Sequence, residues 1–280
     1  MTQALPSVHH RRWHGTVLLG LLILVVWSYY DTGLSLRTLL GAEGRRQMGF
    51  FIAQMFPPDL SPMLLQQIAW GGLETFAISF LGTLLAVVLA ACLLGGATRT
   101  LATSSAFSEA EARTLGQRLT QALCYSLARA TLNLARSVPE LIWALLFILL
   151  VGLGPFAGVL ALGVHTAGVL GRLFAEVLEN VDRRPCETLQ AAGANRMQVF
   201  LYGMLPQAVP ELVSFALYRW EVNIRAAAIL GFIGAGGIGH QLFMALNLFL
   251  HQRLLTLMVA MLLLVALVDV CSAWLRRLLV

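Results

Sequence analysis

FAISFLGTLLAVVLAACLL, residues 76–94, carries no charged side chain over a length that matches a lipid bilayer. A hydrocarbon core about 30 Å thick takes about 20 residues of helix at about 1.5 Å each. In that medium no water satisfies the backbone, so a spanning segment must close its own hydrogen bonds as a helix. Further apolar runs lie at 18–27, 141–153, 159–170 and 254–270. Of the 280 residues, 58% are hydrophobic and 12% charged, about half the charge of a soluble domain. The sequence therefore predicts an all-α integral membrane protein with about six transmembrane helices. They fall near 15–31, 72–95, 121–152, 156–178, 207–231 and 253–275. The third is overlong and should kink at Pro139, which removes a helical donor. Residues 32–71 form a connection broken by Pro57, Pro58 and Pro62, with 60–69 placed along the membrane surface. Residues 96–118 form another, with a short polar helix around 108–119.

The charge pattern sets an orientation. All 19 basic residues are arginine and the net charge is +5. With the N-terminus inside, Arg11, Arg12, Arg99, Arg113, Arg118, Arg183, Arg184, Arg196, Arg276 and Arg277 lie on inner segments. Only Arg37, Arg45 and Arg46 lie on outer ones. The positive-inside rule then puts both termini in the cytoplasm. The first apolar run continues to Tyr30 with bulky aromatics and no small-residue cleavage site, so it reads as an uncleaved span. No basic stripe with interleaved aromatics supports nucleic-acid binding. Cys92, Cys124, Cys186 and Cys271 are isolated, with neither metal-ligand spacing nor a disulfide frame.

The loop between the fourth and fifth spans is the most informative segment. It reads Glu187-Thr188-Leu189-Gln190-Ala191-Ala192-Gly193, with Leu205-Pro206 twelve residues on. Asp182 can cap a helix start, Pro185 suits a first turn and Gly193 a helix end. Asn195 can cap a second short helix that stops before Pro206. This spacing resembles the "EAA" loop of bacterial ABC importer permeases, an acidic residue followed by a glycine six positions later and by Leu-Pro. The resemblance implies that Glu187, Ala191, Ala192, Gly193, Leu205 and Pro206 form the coupling helix that docks on an ATPase subunit. Thr188 and Leu189 replace two alanines of the pattern, and Gly203 stands where a bulky apolar residue is usual.

Four polar features sit in apolar spans, where ionisable groups face protein or water and mark function. Arg136 and Glu140 flank Pro139 and are four apart, an (i, i+4) pair or members of a path. Arg172, Glu176 and Glu179 mark the inner end of the fourth span. In the fifth, Arg219, Glu221, Asn223 and Arg225 lie mid-helix. Glu221 and Arg225 can pair, which leaves Arg219 without a local partner. It is either a cationic lining for an oxyanion or an interfacial bridge to Glu140 or Glu211. Arginine presents a planar fork of donors suited to an oxyanion. Residues 231–239 (GFIGAGGIG) contain Gly234, Gly236, Gly237 and Gly239, read as gate or packing glycines. A backbone nest for an anion is the other reading, while nucleotide binding lacks its Gly-Lys-Ser/Thr. His165 stands alone and reads as a packed histidine.

Together, 136–141, 151–162, 187–206 and 217–239 resemble the phosphonate/phosphite branch of these permeases, over roughly 70–275. The resemblance implies a type I, methionine-permease-like fold that works as a dimer. Its substrate would be phosphonate, phosphite or a related oxyanion. It further implies a second copy of the chain, two cytoplasmic ATPase subunits carrying ATP and Mg, and an extracytoplasmic solute-binding protein. The chain itself would be no enzyme. Residues 1–71 would form a peripheral helix and outer connection, and 72–280 the permease core with its coupling loop at 180–206. The alternatives are an importer for methionine, an amine or phosphate, and an ion-coupled secondary transporter using Glu140 and Glu221.

Overall fold

The computed structural model describes residues 8–31, 40–97 and 115–279. The chain divides into two compact units, Met1–Phe56 and Pro57–Val280. The first holds α1 (Val8–Asp31) and α2 (Ala42–Gln54). The second holds α3 (Pro62–Ala97), α4 (Leu115–Ser137), α5 (Glu140–Val151) and α6 (Pro155–Glu179). It continues with α7 (Arg183–Ala191), α8 (Leu205–Leu230), α9 (Gly237–Asn247) and α10 (His251–Leu279).

The expected boundary at 71/72 falls inside α3, because residues 60–69 do not lie apart on a surface. Pro62 opens a continuous helix, where its missing N–H costs nothing. Asp59 Oδ1 accepts the Ser61 N–H at 3.0 Å just ahead of it. That hydrogen bond is the chief cause that holds the Asp59 carboxyl below its ordinary range, and the Arg253 guanidinium adds to it. Most of the polar helix expected at 108–119 lies outside the described residues, and 115–119 belong to α4.

Four described helices are long and apolar enough to span a bilayer: Pro62–Leu94, Pro155–Glu179, Val199–Ala235 and His251–Leu278. A fifth span is the pair 122–137 and 140–151, bent by 95° at its break. Residues 15–31 are apolar but shorter. The expected kink at Pro139 is thus a sharp break.

In lipid, apolar burial does not by itself draw helices together, and small residues that admit close approach do. The α3–α6 seam follows this rule. A Cβ on Gly82 would stand 2.8 Å from Leu162 Cβ, and one on Gly163 only 2.5 Å from Leu85 Cδ2. Ala86, Ala90, Ala157 and Ala161 are buried along the same seam. This makes α6 the central helix, with leucines such as Leu162, Leu170 and Leu178 fully enclosed. The outer sides of α3, α5 and α10 expose large apolar side chains, Leu84, Leu149 and Leu263 among them.

Candidate functional site

The loop between α6 and α8 folds as the sequence predicts up to Asn195. Asp182 accepts the Arg184 N–H at 3.1 Å and starts α7. Gly193 ends it with φ +86°, a left-handed conformation that costs a residue with a Cβ roughly 1 kcal/mol or more. Asn195 Oδ1 accepts the Gln198 N–H at 2.9 Å, and Gln198 Oε1 accepts the Asn195 N–H at 2.8 Å. This reciprocal box satisfies two donors at once. The second helix does not stop before Pro206. It runs from Arg196 through π-helical turns at Val199–Met204 into α8. Pro206 thus falls inside a continuous helical run, at the junction of the π-helical turns with α8.

Gly203, the departure from the loop pattern, has a local cause. A Cβ there would lie 3.1 Å from both Cys186 Sγ and Leu189 Cδ1. The π-helical turns therefore pack flush against α7. Burial of Cys186 pushes its thiol up from the ordinary range, and the Asp182 and Glu187 carboxylates add to this. The outer side of the loop is open: Glu187, Ala191, Ala192, Gly193 and Pro206 are exposed, and Leu205 is half-buried.

The membrane-embedded polar residues separate into distinct groups. Arg136 and Glu140 do not pair, because the 95° break stands between them. Arg136 Nε donates to Asn133 Oδ1 at 3.1 Å. The break strands carbonyls that side chains then take up. Trp143 Nε1 donates to Ala135 O at 3.0 Å, and His165 Nδ1 lies 3.0 Å from Val138 O. Gly168 brings α6 onto the break, since a Cβ there would stand 2.6 Å from Arg136 N. Glu140 thereby faces His165, with 3.7 Å between Oε2 and Nε2.

The expected Glu221–Arg225 pair also does not form. Glu221 accepts from Arg276, and Arg225 reaches Asp269 with contacts of 3.0 and 3.1 Å. Helix α10 lies beside α8 and offers each residue an opposite charge across the interface, which outcompetes the intrahelical geometry. Arg172 pairs with Glu176 at 2.7 Å, and Arg129 of α4 with Glu179 at 3.1 Å. Asn223 is no wall of an open path. It is 1% exposed, accepts from Thr166 at 3.0 Å and donates to Thr83 at 2.8 Å, which ties α3, α6 and α8 together.

Arg219 is left over. Its Nε is buried with no hydrogen-bond partner among the described residues. Neighbouring Trp220 packs edge-on against Phe76 and Phe80, with centroids 5.6 and 5.8 Å away.

The glycine segment holds an anion, but an internal one. Gly234, Gly236 and Gly237 have φ of +103°, +86° and +71°, which turns successive N–H groups to one side. Glu74 Oε2 accepts the Gly237 N–H at 2.7 Å, and Thr75 Oγ1 accepts that of Ile238 at 2.9 Å. Two neighbours on α3 thus cap α9. Gly239 serves close packing, since a Cβ there would run into Ala228 O. The sequence did not single out Glu74, Asp269 or Arg276 in these roles, and it treated His165 as inert. No local pattern signals them, because each acts across helices far apart in the chain.

A bundle of apolar helices long enough to span a bilayer, with an exposed helical loop between two of them, defines a multi-pass membrane component. Residues 115–280 match the family described as binding-protein-dependent transport system inner membrane component. The chain belongs to that family and is a multi-pass inner-membrane protein. It is 36% identical over 93% of its length to the phosphite transport system permease protein PtxC of Stutzerimonas stutzeri, covering 86% of that protein. It is 35% identical over 97% of its length to that organism's putative phosphite transport system permease protein HtxC, covering 89% of it. To the phosphate-import permease protein PhnE of Mycolicibacterium smegmatis it is 31% identical over 85% of its length, covering 41% of that protein. Among solved structures, it shares the fold of a chain of the MetNI methionine ABC transporter, a type I importer. The TM-score is 0.64 at 23% identity, over 79% of this chain and all of that one.

Proposed function

We propose that this chain is the translocation subunit of an ATP-driven importer for phosphite, a phosphonate or a related phosphorus oxyanion. The observation that carries the reading is Arg219. Its buried guanidinium nitrogen lacks a hydrogen-bond partner, in a chain whose full-length relatives are named for phosphite transport. An arginine at membrane depth costs about 2.5–3.5 kcal/mol on insertion scales and persists where it has work to do. A transported oxyanion satisfies it in passing. Arg225 and Glu221 are neutralised by Asp269 and Arg276, and serve to hold α8 against α10. Arg136 and Glu140 flank the same path at the α4–α5 break.

The exposed loop of Glu187, Ala191, Ala192, Gly193, Leu205 and Pro206 is the contact for a separate ATPase, which holds ATP and Mg. The working assembly contains a second permease copy, two ATPase subunits and an extracytoplasmic solute-binding protein. Both termini are cytoplasmic. The test is phosphite uptake in cells whose other phosphite routes are deleted. Arg219→Gln abolishes uptake with the chain inserted and the ATPase bound, while Arg225→Gln weakens assembly first. Unchanged uptake in Arg219→Gln removes it from the path.

A further inference from the structure

Helix α8 keeps one face uncovered. Tyr218, Ile229 and Phe232 are 51%, 57% and 40% exposed, and the Arg225 side chain 51%. With half-buried Val222 between them, these residues follow one another at steps of four, three, four and three. Asn223, Ala226, Ala227 and Leu230, on the other side of the helix, are buried. A spacing of three and four residues is the seam along which one helix receives another. Apolar exposure alone would suit lipid, but the middle of this seam is charged.

Arg225 and Asp269 form their ion pair near the centre of the membrane. Asn223, two residues away on α8, bonds Thr83 and Thr166. Thr83 lies near the middle of the uncharged run 76–94, and Thr166 near the middle of Pro155–Glu179. Two residues of helix rise only about 3 Å, so the ion pair sits at the same depth. Its contacts are 3.0 and 3.1 Å, yet the two side chains stay 51% and 40% exposed. Charge at that depth faces protein or water, not hydrocarbon. The apolar run 15–30 of this chain holds no charged group to meet it. A second copy brings both an arginine and an aspartate to the same level.

We propose that the exposed seam of α8, with Arg225 and Asp269 at its centre, is the face on which two copies of this chain meet. Two copies inserted the same way are related by a two-fold axis along the membrane normal. Their α8 helices then run parallel, and each seam residue meets its counterpart. Arg225 of one protomer approaches the partner's Asp269, so that the four charges alternate around the axis. Arg225 binds its own Asp269 through Nη2. A guanidinium has five N–H donors and a carboxylate about four acceptor sites, so each side chain can hold a second partner. The proposal rests on the reading of the chain as one of two permease copies, and it names the surface between them.

The experiment is oxidative cross-linking of the full chain in native membranes, with the four native cysteines replaced by alanine and insertion checked. Two cysteines bridge only where their Cα atoms come within about 7 Å. Ile229→Cys and Tyr218→Cys shift to a band of twice the chain's mass, and that band carries both tags when two differently tagged copies are co-expressed. Leu149→Cys, on the exposed side of α5, stays at the single-chain mass. A second arm reads the charges. Asp269→Arg makes one copy doubly positive at the seam, and Arg225→Asp makes another doubly negative. Each alone loses the Ile229→Cys cross-link, and the two co-expressed regain it as a mixed pair. Should either charge variant fail to insert, the cross-link of the native-charge chain decides. Seam cysteines that stay at the single-chain mass overturn the proposal. So does labelling of Ile229→Cys by a water-soluble maleimide without cross-linking, which makes the face the wall of a water-filled path. A cross-link to a chain of different mass overturns it as well. A dimer band from Leu149→Cys beside a silent seam keeps the two-copy reading and overturns this surface alone. Cross-linking is read without phosphite, so failure of the substrate reading is told apart from failure of the interface.

Discussion

At the scale of single residues, Gly193 separates conformation from space. Its φ is +86°, yet nothing lies within 4 Å of where a Cβ would stand. Gly193→Ala therefore costs only backbone strain, about 1 kcal/mol, whereas Gly193→Val adds β-branched crowding in a region such residues avoid. Uptake should fall modestly in the first and be lost in the second, with both chains inserted, as immunoblotting of membranes checks. Asn223 permits a similar decision. An unsatisfied buried group costs about 1–3 kcal/mol, but interhelical hydrogen bonds in membranes average only about 0.6 kcal/mol because partners are replaced. Thr83 already donates to Ser79 O at 2.7 Å, and Thr166 can turn to its own helix in the same manner. The smaller figure governs. Asn223→Leu should leave the chain folded and loosen the α3–α6–α8 junction, seen as a small drop in the midpoint of unfolding in mixed micelles.

Among the elements, the α4–α5 break is held by more than its proline. Trp143 and His165 occupy the carbonyls of Ala135 and Val138, and Gly168 seats α6 against the backbone there. Pro139→Ala alone should keep the bend, and Pro139→Ala with Trp143→Phe should reduce it. Spin-label distances between 122–137 and 140–151 read this directly. The α9 cap is likewise tertiary. Glu74→Ala frees the Gly237 N–H and should weaken the helix start by about 1 kcal/mol, with faster amide exchange at Gly237 and Ile238. Asp59 ties the segment before α3 to α10, accepting from Arg253 Nε at 3.1 Å. Its carboxyl is depressed, so its contribution is present above the unfolded value and is lost as pH falls through the folded one. Exchange at Ser61 N–H should therefore rise only below about pH 4.

For the whole molecule, the arginine distribution and the coupling loop make one topological prediction. Gly193→Cys should react with a maleimide in inside-out vesicles and not in intact cells. Native Cys186 gives little background, because it is buried with its thiol pushed up and thiolate is the reactive form. Reaction from outside in intact cells would reverse the assignment of both termini. Crosslinking of the labelled position to a co-expressed ATPase extends the test to the assembly.

Hydrophobic runs, the break at Pro139 and the caps at Asp182 and Asn195 were legible in the chain because each depends on residues within a few positions or on bulk transfer to lipid. The same holds for the left-handed end at Gly193. Partners of charge were not legible. Glu221 and Arg225 satisfy the helical spacing rule, yet α10 presents Arg276 and Asp269 to them at the same level. Likewise 231–239 reads as a possible anion nest, and only the placement of α3 shows that Glu74 fills it. His165 is a solitary histidine in an apolar helix until Gly168 brings α6 onto the break and sets it against Glu140. Local sequence determined where the long apolar helices lie, the bend at Pro139 and the caps of α7, but not the start of α3 at Pro62, the run of the second loop helix through Pro206 or the start of α9. Tertiary packing alone decided which buried charge meets which, because a charge at membrane depth takes the nearest partner in space, whatever its distance along the chain.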